Sequence, residues 1–139
     1  MPGTVIVGLQ WGDEGKGKVV DYLVSKGNYH AVARFNGGPN AGHTVKHGNL
    51  TFKFHQLPSG VLHPEVINVI GNGCVVDPIQ LHEEMCALSR IGIVPSLRVS
   101  ERAHVIMPWH PVIDVLEGQM RRANLKNNEK GSLPSSTTG

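Results

Sequence analysis

Gly8-Leu9-Gln10-Trp11-Gly12-Asp13-Glu14-Gly15-Lys16-Gly17-Lys18 is the stretch from which the fold is read. It follows the apolar run Thr4-Val5-Ile6-Val7 and precedes Val19, Val20, Leu23 and Val24, which recur at helical spacing. Strand, glycine-rich turn and helix is an arrangement that binds phosphate. Glycines let backbone N–H groups face one concavity, and the helix N-terminus adds a partial positive charge. Gly8, Gly12, Gly15 and Gly17 are too many for a plain turn, because each adds to the entropy lost on folding.

Gly12 to Lys18 fits the phosphate-loop pattern G-x-x-x-x-G-K. The pattern continues with Ser or Thr, whose hydroxyl holds Mg²⁺; this chain has Val19. Either no metal binds or another oxygen supplies that contact. Asp13, inside the loop, is the candidate, since Mg²⁺ prefers carboxylate, carbonyl and water oxygens. A carboxylate facing phosphates is repulsive unless a metal or a proton transfer accounts for it. Asp13 is therefore a metal ligand, a general base, or both, against the plainer reading of a turn aspartate bonded to its own backbone. Lys18 occupies the phosphate-contacting position and Lys16 is within reach of a second anion. Two merely solvated lysines in a first helical turn would oppose the helix dipole.

Residues 3–9 are predicted to form a buried strand, and Lys16 to about Lys26 a helix stopped by Gly27. His30 to Phe35 reads as a second strand, parallel to the first. A second glycine-rich loop follows, Asn36-Gly37-Gly38-Pro39-Asn40-Ala41-Gly42-His43-Thr44. The carboxyl ends of parallel strands share one rim, so this loop is placed beside the first. His43 is the candidate acid among the histidines, because its ordinary pKa lies near neutrality and its loop shares that rim. A hairpin is expected around His47-Gly48-Asn49, a loop at Leu57-Pro58-Ser59-Gly60, and a strand at Val66 to Ile70 ending in Gly71-Asn72-Gly73. Asp77-Pro78-Ile79-Gln80 starts a helix that buries Leu81, Met85 and Leu88 and stops at Gly92. Short strands at Leu97–Val99 and His104–Ile106 precede a helix from Trp109 to about Asn124. His82 and Cys86 share a helical face, but two ligands are too few for a metal. His55, His63, His104 and His110 are given no role.

The two loops together resemble adenylosuccinate synthetases, and Ile70-Gly71-Asn72-Gly73 and Thr137-Thr138-Gly139 extend the likeness along the chain. Ser136 stands where that family has glycine before Thr-Thr-Gly. The resemblance implies an α/β, P-loop-like nucleotide-binding domain with a mainly parallel sheet flanked by helices and a small hairpin. Residues 1–139 would be the N-terminal portion of a single GTP- and IMP-binding domain, itself incomplete. It implies GTP-dependent joining of IMP to L-aspartate, with Mg²⁺, through a 6-phosphoryl-IMP intermediate. Asp13 would be the general base and His43 the general acid; Asp13 and the Gly42 carbonyl would hold Mg²⁺. Gly12, Asp13, Glu14, Gly15, Lys16, Gly17, Lys18, Gly42, His43 and Thr44 would contact GTP. Asp13, Glu14, Gly15, Lys16, Asn40, Ala41, Gly42, His43 and Thr138 would line the IMP site. The family's guanine-recognition segment, aspartate loop and cross-dimer arginine would lie beyond Gly139, so residues 1–139 alone are expected to be inactive. The alternative is a P-loop nucleotide-binding module without ligase activity, or a non-catalytic homologue.

A length of 139 residues suits one core, and a net charge of +2 lacks the basic stripe of a nucleic-acid binder. Cys74 and Cys86 form no C-x-x-C pair and are expected as free thiols in a reducing compartment. No secretory leader and no membrane-length apolar run is apparent, so a cytoplasmic protein with neither nucleic acid nor membrane as partner is expected; the resemblance implies that the complete protein is a homodimer.

Overall fold

The computed structural model describes residues 3–12, 14–27, 29–40, 42–47 and 50–126. They form two compact units, Met1–Val105 and Ile106–Gly139. In the first, a parallel sheet is built from β1 (Ala31–Gly37), β4 (Ile67–Val76), β5 (Ser96–Val99) and β6 (His104–Val105). β4 is central: β1 and β5 flank it, and β6 pairs with its last residues, Val75 and Val76, all parallel. An antiparallel hairpin, β2 (His43–His47) and β3 (Leu50–Phe54), stands apart from this sheet. Helices α1 (Lys16–Ser25) and α2 (Pro78–Ser89) complete the unit.

Local chemistry explains the helix ends. Gly15 caps α1 at φ 77° and Gly27 leaves it at φ 84°, both left-handed conformations that favour glycine. The Asp77 carboxylate caps α2 by accepting from the N–H groups of Ile79 and Gln80, and Pro78 fits the first turn. Leu88 is fully buried, with Leu81 and Met85 packed beside it. The main core joins the hairpin residues Val45 and Phe54 to Leu57, Val61, Leu62 and Leu88. A second cluster, Ile70, Cys74 and Val76, lies along β4. Both cysteines are free thiols.

Two expectations fail. Residues 3–9 are not a buried strand: they join no ladder, and Val5, Val7 and Leu9 are 73%, 60% and 91% exposed. An apolar run becomes a strand only beside a partner, and neither edge of the sheet, β1 nor β5, takes it. The parallel pair expected between it and β1 is therefore absent; β1 pairs with β4 instead. Gly71-Asn72-Gly73 does not end β4, which continues to Val76. These glycines serve close approach rather than a turn. A Cβ on Gly73 would lie 2.4 Å from the Phe35 carbonyl oxygen, beside the register shift between Arg34 and Asn36.

In the second unit, α3 (Trp109–Lys126) carries an exposed Glu117–Arg121 ion pair of 3.1 Å one turn apart. No helix among the described residues is long and apolar enough to cross a membrane.

Candidate functional site

The first loop turns through Gly12 at φ 110° and delivers the chain to α1 at Gly15. No side chain caps this helix, and the N–H groups of a first turn lack partners within the helix, which suits an anion. Lys16 Nζ lies 2.8 Å from Glu14 Oε2, and the Gln10 N–H donates to Glu14 Oε1. The Lys16 ammonium, aided by the N–H groups of Glu14 and Gln10, holds the Glu14 carboxyl down at about 2. Gly8 makes room for this pair, since a Cβ there would meet both Glu14 Oε1 and Lys16 Nζ at 2.7 Å.

The two loops meet at Gly17. A Cβ on Gly17 would sit 3.1 Å from His43 Cβ and 3.2 Å from both His43 Cδ2 and Ser59 Oγ. Glycine in the first turn of α1 thus lets the candidate acid lie against the phosphate loop. One turn along, Lys18 and Asp21 share a cavity of about 260 Å³ with Thr44 and Val45 of β2. His63 Nε2 lies 3.0 Å from Asp21 Oδ1 and ties α1 to the loop after β3.

His43 is half-buried, and its Nε2 finds no hydrogen-bond partner among the described residues. Burial foremost, then the nearby Arg34 charge and His55, push its pKa down to about 4. The imidazole is therefore neutral at physiological pH. An anionic phosphoryl group at Nε2 would reverse that balance. Gly42 lies directly under His55, whose Cε1 would be 2.9 Å from a Cβ at that position. His55 Nδ1 is 3.0 Å from the Pro39 carbonyl oxygen.

Of the residues singled out in the sequence, Gly17, Lys18, His43 and Thr44 come together around α1 and β2. Glu14 and Lys16 bind each other, and Asn40 is exposed. Asp13, Ala41 and Thr138 lie outside the described residues. His55 and His63 carry no role in the sequence reading, and Arg34 and Glu84 pass there without notice. Their partners are far off in sequence, and spacing carries no signal for them.

The sequence profile of the adenylosuccinate synthetase family matches residues 5–136. The chain belongs to that family. It is 51% identical to the adenylosuccinate synthetase of Lactococcus lactis strain IL1403 over 122 residues, 87% of this chain and 28% of that protein. It is 48% identical to that of Listeria monocytogenes strain HCC23 over 136 residues, 96% of this chain and 31% of that protein. The chain thus spans under a third of the length of these curated relatives. The structure resembles fully ligated adenylosuccinate synthetase from Plasmodium falciparum, with TM-score 0.70 and 37% identity over 83% of this chain and 26% of that one. It also resembles a cyanophage S-2L succinoaminodeoxyadenylate synthetase bound to dGMP and dATP as an energy donor. There the TM-score is 0.64 and the identity 27%, over 89% of this chain and 38% of that one. The α/β fold with a parallel sheet is that of the family, of which this chain carries a part.

Proposed function

We propose that the protein carrying this chain ligates IMP and L-aspartate to adenylosuccinate, with GTP hydrolysed to GDP and phosphate. The approach of His43 to Gly17 carries the reading, because a nucleotide holder alone has no need of a histidine against its phosphate loop. Family membership and the cavity shared by Lys18 and Thr44 support it.

Asp13 takes the proton from N1 of IMP, and the base oxygen attacks the γ-phosphorus while the bond to GDP breaks. The aspartate amine then displaces the phosphoryl group of 6-phosphoryl-IMP as inorganic phosphate. Lys18 and the α1 N-terminus offset phosphate charge, and His43 acts as the acid at the transferred group. The groups named for the ligands are Gly12 to Lys18 and Gly42 to Thr44 for GTP, with Asp13 to Lys16, Asn40 to His43 and Thr138 for IMP.

The donors suit Mg²⁺. Val19, 44% exposed, brings no oxygen to the position of the missing hydroxyl, whereas the exposed Gly42 backbone brings a carbonyl. One carboxylate and one carbonyl, completed by phosphate and water oxygens, is a hard set of the kind this ion takes. No group of three or more His, Cys, Asp or Glu among the described residues forms an alternative. Asp13 and the Gly42 carbonyl would hold the ion, whose chemistry when bound is to neutralise charge on the β- and γ-phosphates. Residues 1–139 are taken as the N-terminal portion of one GTP- and IMP-binding domain. The protein is taken as a cytoplasmic homodimer with neither nucleic acid nor a membrane as partner, in keeping with its charge of +2 and free thiols.

The test is GTP consumption dependent on both IMP and aspartate, in the whole protein and in Asp13→Ala and His43→Asn. Each substitution should lower kcat by roughly 10²-fold or more. Unchanged rates in both would remove the mechanism, and GTP hydrolysis independent of IMP would favour a P-loop module without ligase activity.

A further inference from the structure

Residues 55–62 are a loop by backbone and a core by burial. Leu57 and Val61 are fully buried, and Gln56 and Leu62 are 2% and 4% exposed. A buried loop has no ladder to satisfy its peptide groups, so other groups must do so. Glu84, from the inner face of α2 and itself 8% exposed, takes the donors. Its carboxylate accepts from the N–H groups of His55 at 2.7 Å, Gln56 at 3.1 Å and Leu57 at 3.0 Å. Both oxygens are occupied by backbone, so Glu84 is placed to hold, not to exchange protons with a substrate. Arg34, from β1, takes the acceptors: its Nη1 donates to the carbonyls of His55 and Gln56.

The same arginine reaches the other way. Its Nη2 donates to the Gly38 carbonyl at 2.6 Å, inside the second glycine-rich loop. His55, whose N–H is held by Glu84, meets the Pro39 carbonyl through its ring and lies against Gly42. Two ties therefore run from the Glu84-bound backbone to the loop that ends in His43. The planar guanidinium fork suits Arg34 to bridging carbonyls of two segments, which a lysine cannot reproduce.

We propose that Glu84 and Arg34 are positioning residues for His43, fixing the second loop from behind through the backbone of residues 55–57. The importance of this to catalysis rests on the proposed role of His43; the mechanical link does not. Two measurements on the whole protein separate the two: amide hydrogen exchange of segments 36–47 and 55–62, and steady-state kinetics. In Glu84→Gln, an amide nitrogen replaces one acceptor in front of three N–H donors. Exchange in 36–47 should accelerate about tenfold or more while the fold persists. kcat should fall about 10- to 100-fold, with KM for GTP moving less than about threefold. Asp77→Ala, which removes the α2 cap without touching the loops, is the control for stability alone and should leave exchange in 36–47 unchanged. The proposal is overturned if Glu84→Gln loosens only 55–62, or lowers kcat no more than the control does. If Glu84→Gln does not fold, Arg34→Lys decides by the same exchange: acceleration in 36–47 supports the link, and none removes it. A whole protein without IMP- and aspartate-dependent GTP consumption would sink the functional reading, while exchange would still judge the clamp.

Discussion

The two glycine-rich loops are held in opposite ways. The first is set by its own backbone: Gly12 and Gly15 at positive φ, an exposed Glu14–Lys16 pair, and Trp11 wholly in solvent. The second is tied to the half-buried Arg34 and His55, and the strand that follows it enters through Val45 the core that holds Leu57 and Val61. The difference matches the roles proposed for each, a phosphate cradle for the first and a proton donor for the second. A phosphate cradle works by pointing N–H groups outward at an anion, so it is open and needs little core. A proton donor must be held at a defined atom, and the core supplies that precision.

The strongest way to break the comparison is to weaken each support in turn. Leu57→Ala should remove about 2–5 kcal/mol of stability, because it opens a cavity in the core that Leu57 shares with Val45 and Phe54 of the hairpin. Trp11→Ala, at a fully exposed side chain, should stay within about 0.5 kcal/mol despite removing the larger residue. Urea midpoints of the whole protein at constant m-value measure both. Equal losses would mean that the first loop is braced too.

His43 sharpens the comparison through pH. Its pKa is held at about 4, against 6.5 ordinarily, by burial first and then by Arg34 and His55. The unfolded chain thus takes up this proton before the fold does. The stability associated with neutral His43 is complete above about pH 6.5 and drains away as pH falls toward 4, by at most about 3 kcal/mol. Denaturation of wild type and His43→Asn between pH 5 and 7 reads the difference. A parallel slope in the variant would remove burial of His43 as the cause.

These contrasts mark what sequence could reveal. The glycine-rich turn into α1, the helix ends at Asp77 and Gly27, and the hairpin strands were legible because each follows from neighbouring residues. The pairing of Lys18 with Thr44, and of Gly17 with His43, was legible only as two loops expected on one rim. Burial was where local reading failed. Val5, Val7 and Leu9 look like a core strand and are exposed, whereas Leu57 to Gly60 reads only as a loop and buries Leu57, Pro58 and Gly60. A strand depends on a neighbour, and a buried loop depends on a distant carboxylate and guanidinium, so neither outcome is encoded in the segment itself. Gly71 and Gly73 make the same point: the atoms that require glycine there belong to Arg34 and Phe35, on another strand.

The smallest effect is expected at Glu14, and it tests the first loop's independence most directly. The Glu14 carboxyl is held at about 2 by Lys16 and neighbouring N–H groups, so it stays ionised throughout the physiological range and adds no pH dependence there. An exposed pair gains little, because water and salt screen it and two side chains must be ordered to make it. Glu14→Gln should therefore leave the thermal midpoint unchanged at low and high salt alike. It would free the Lys16 ammonium from its partner, so inorganic phosphate should bind no more weakly than to wild type. A fall in the midpoint approaching that of Leu57→Ala would instead make Glu14 a support of the fold. The first loop would then be anchored as the second is, and the contrast between an open cradle and a braced acid would be lost.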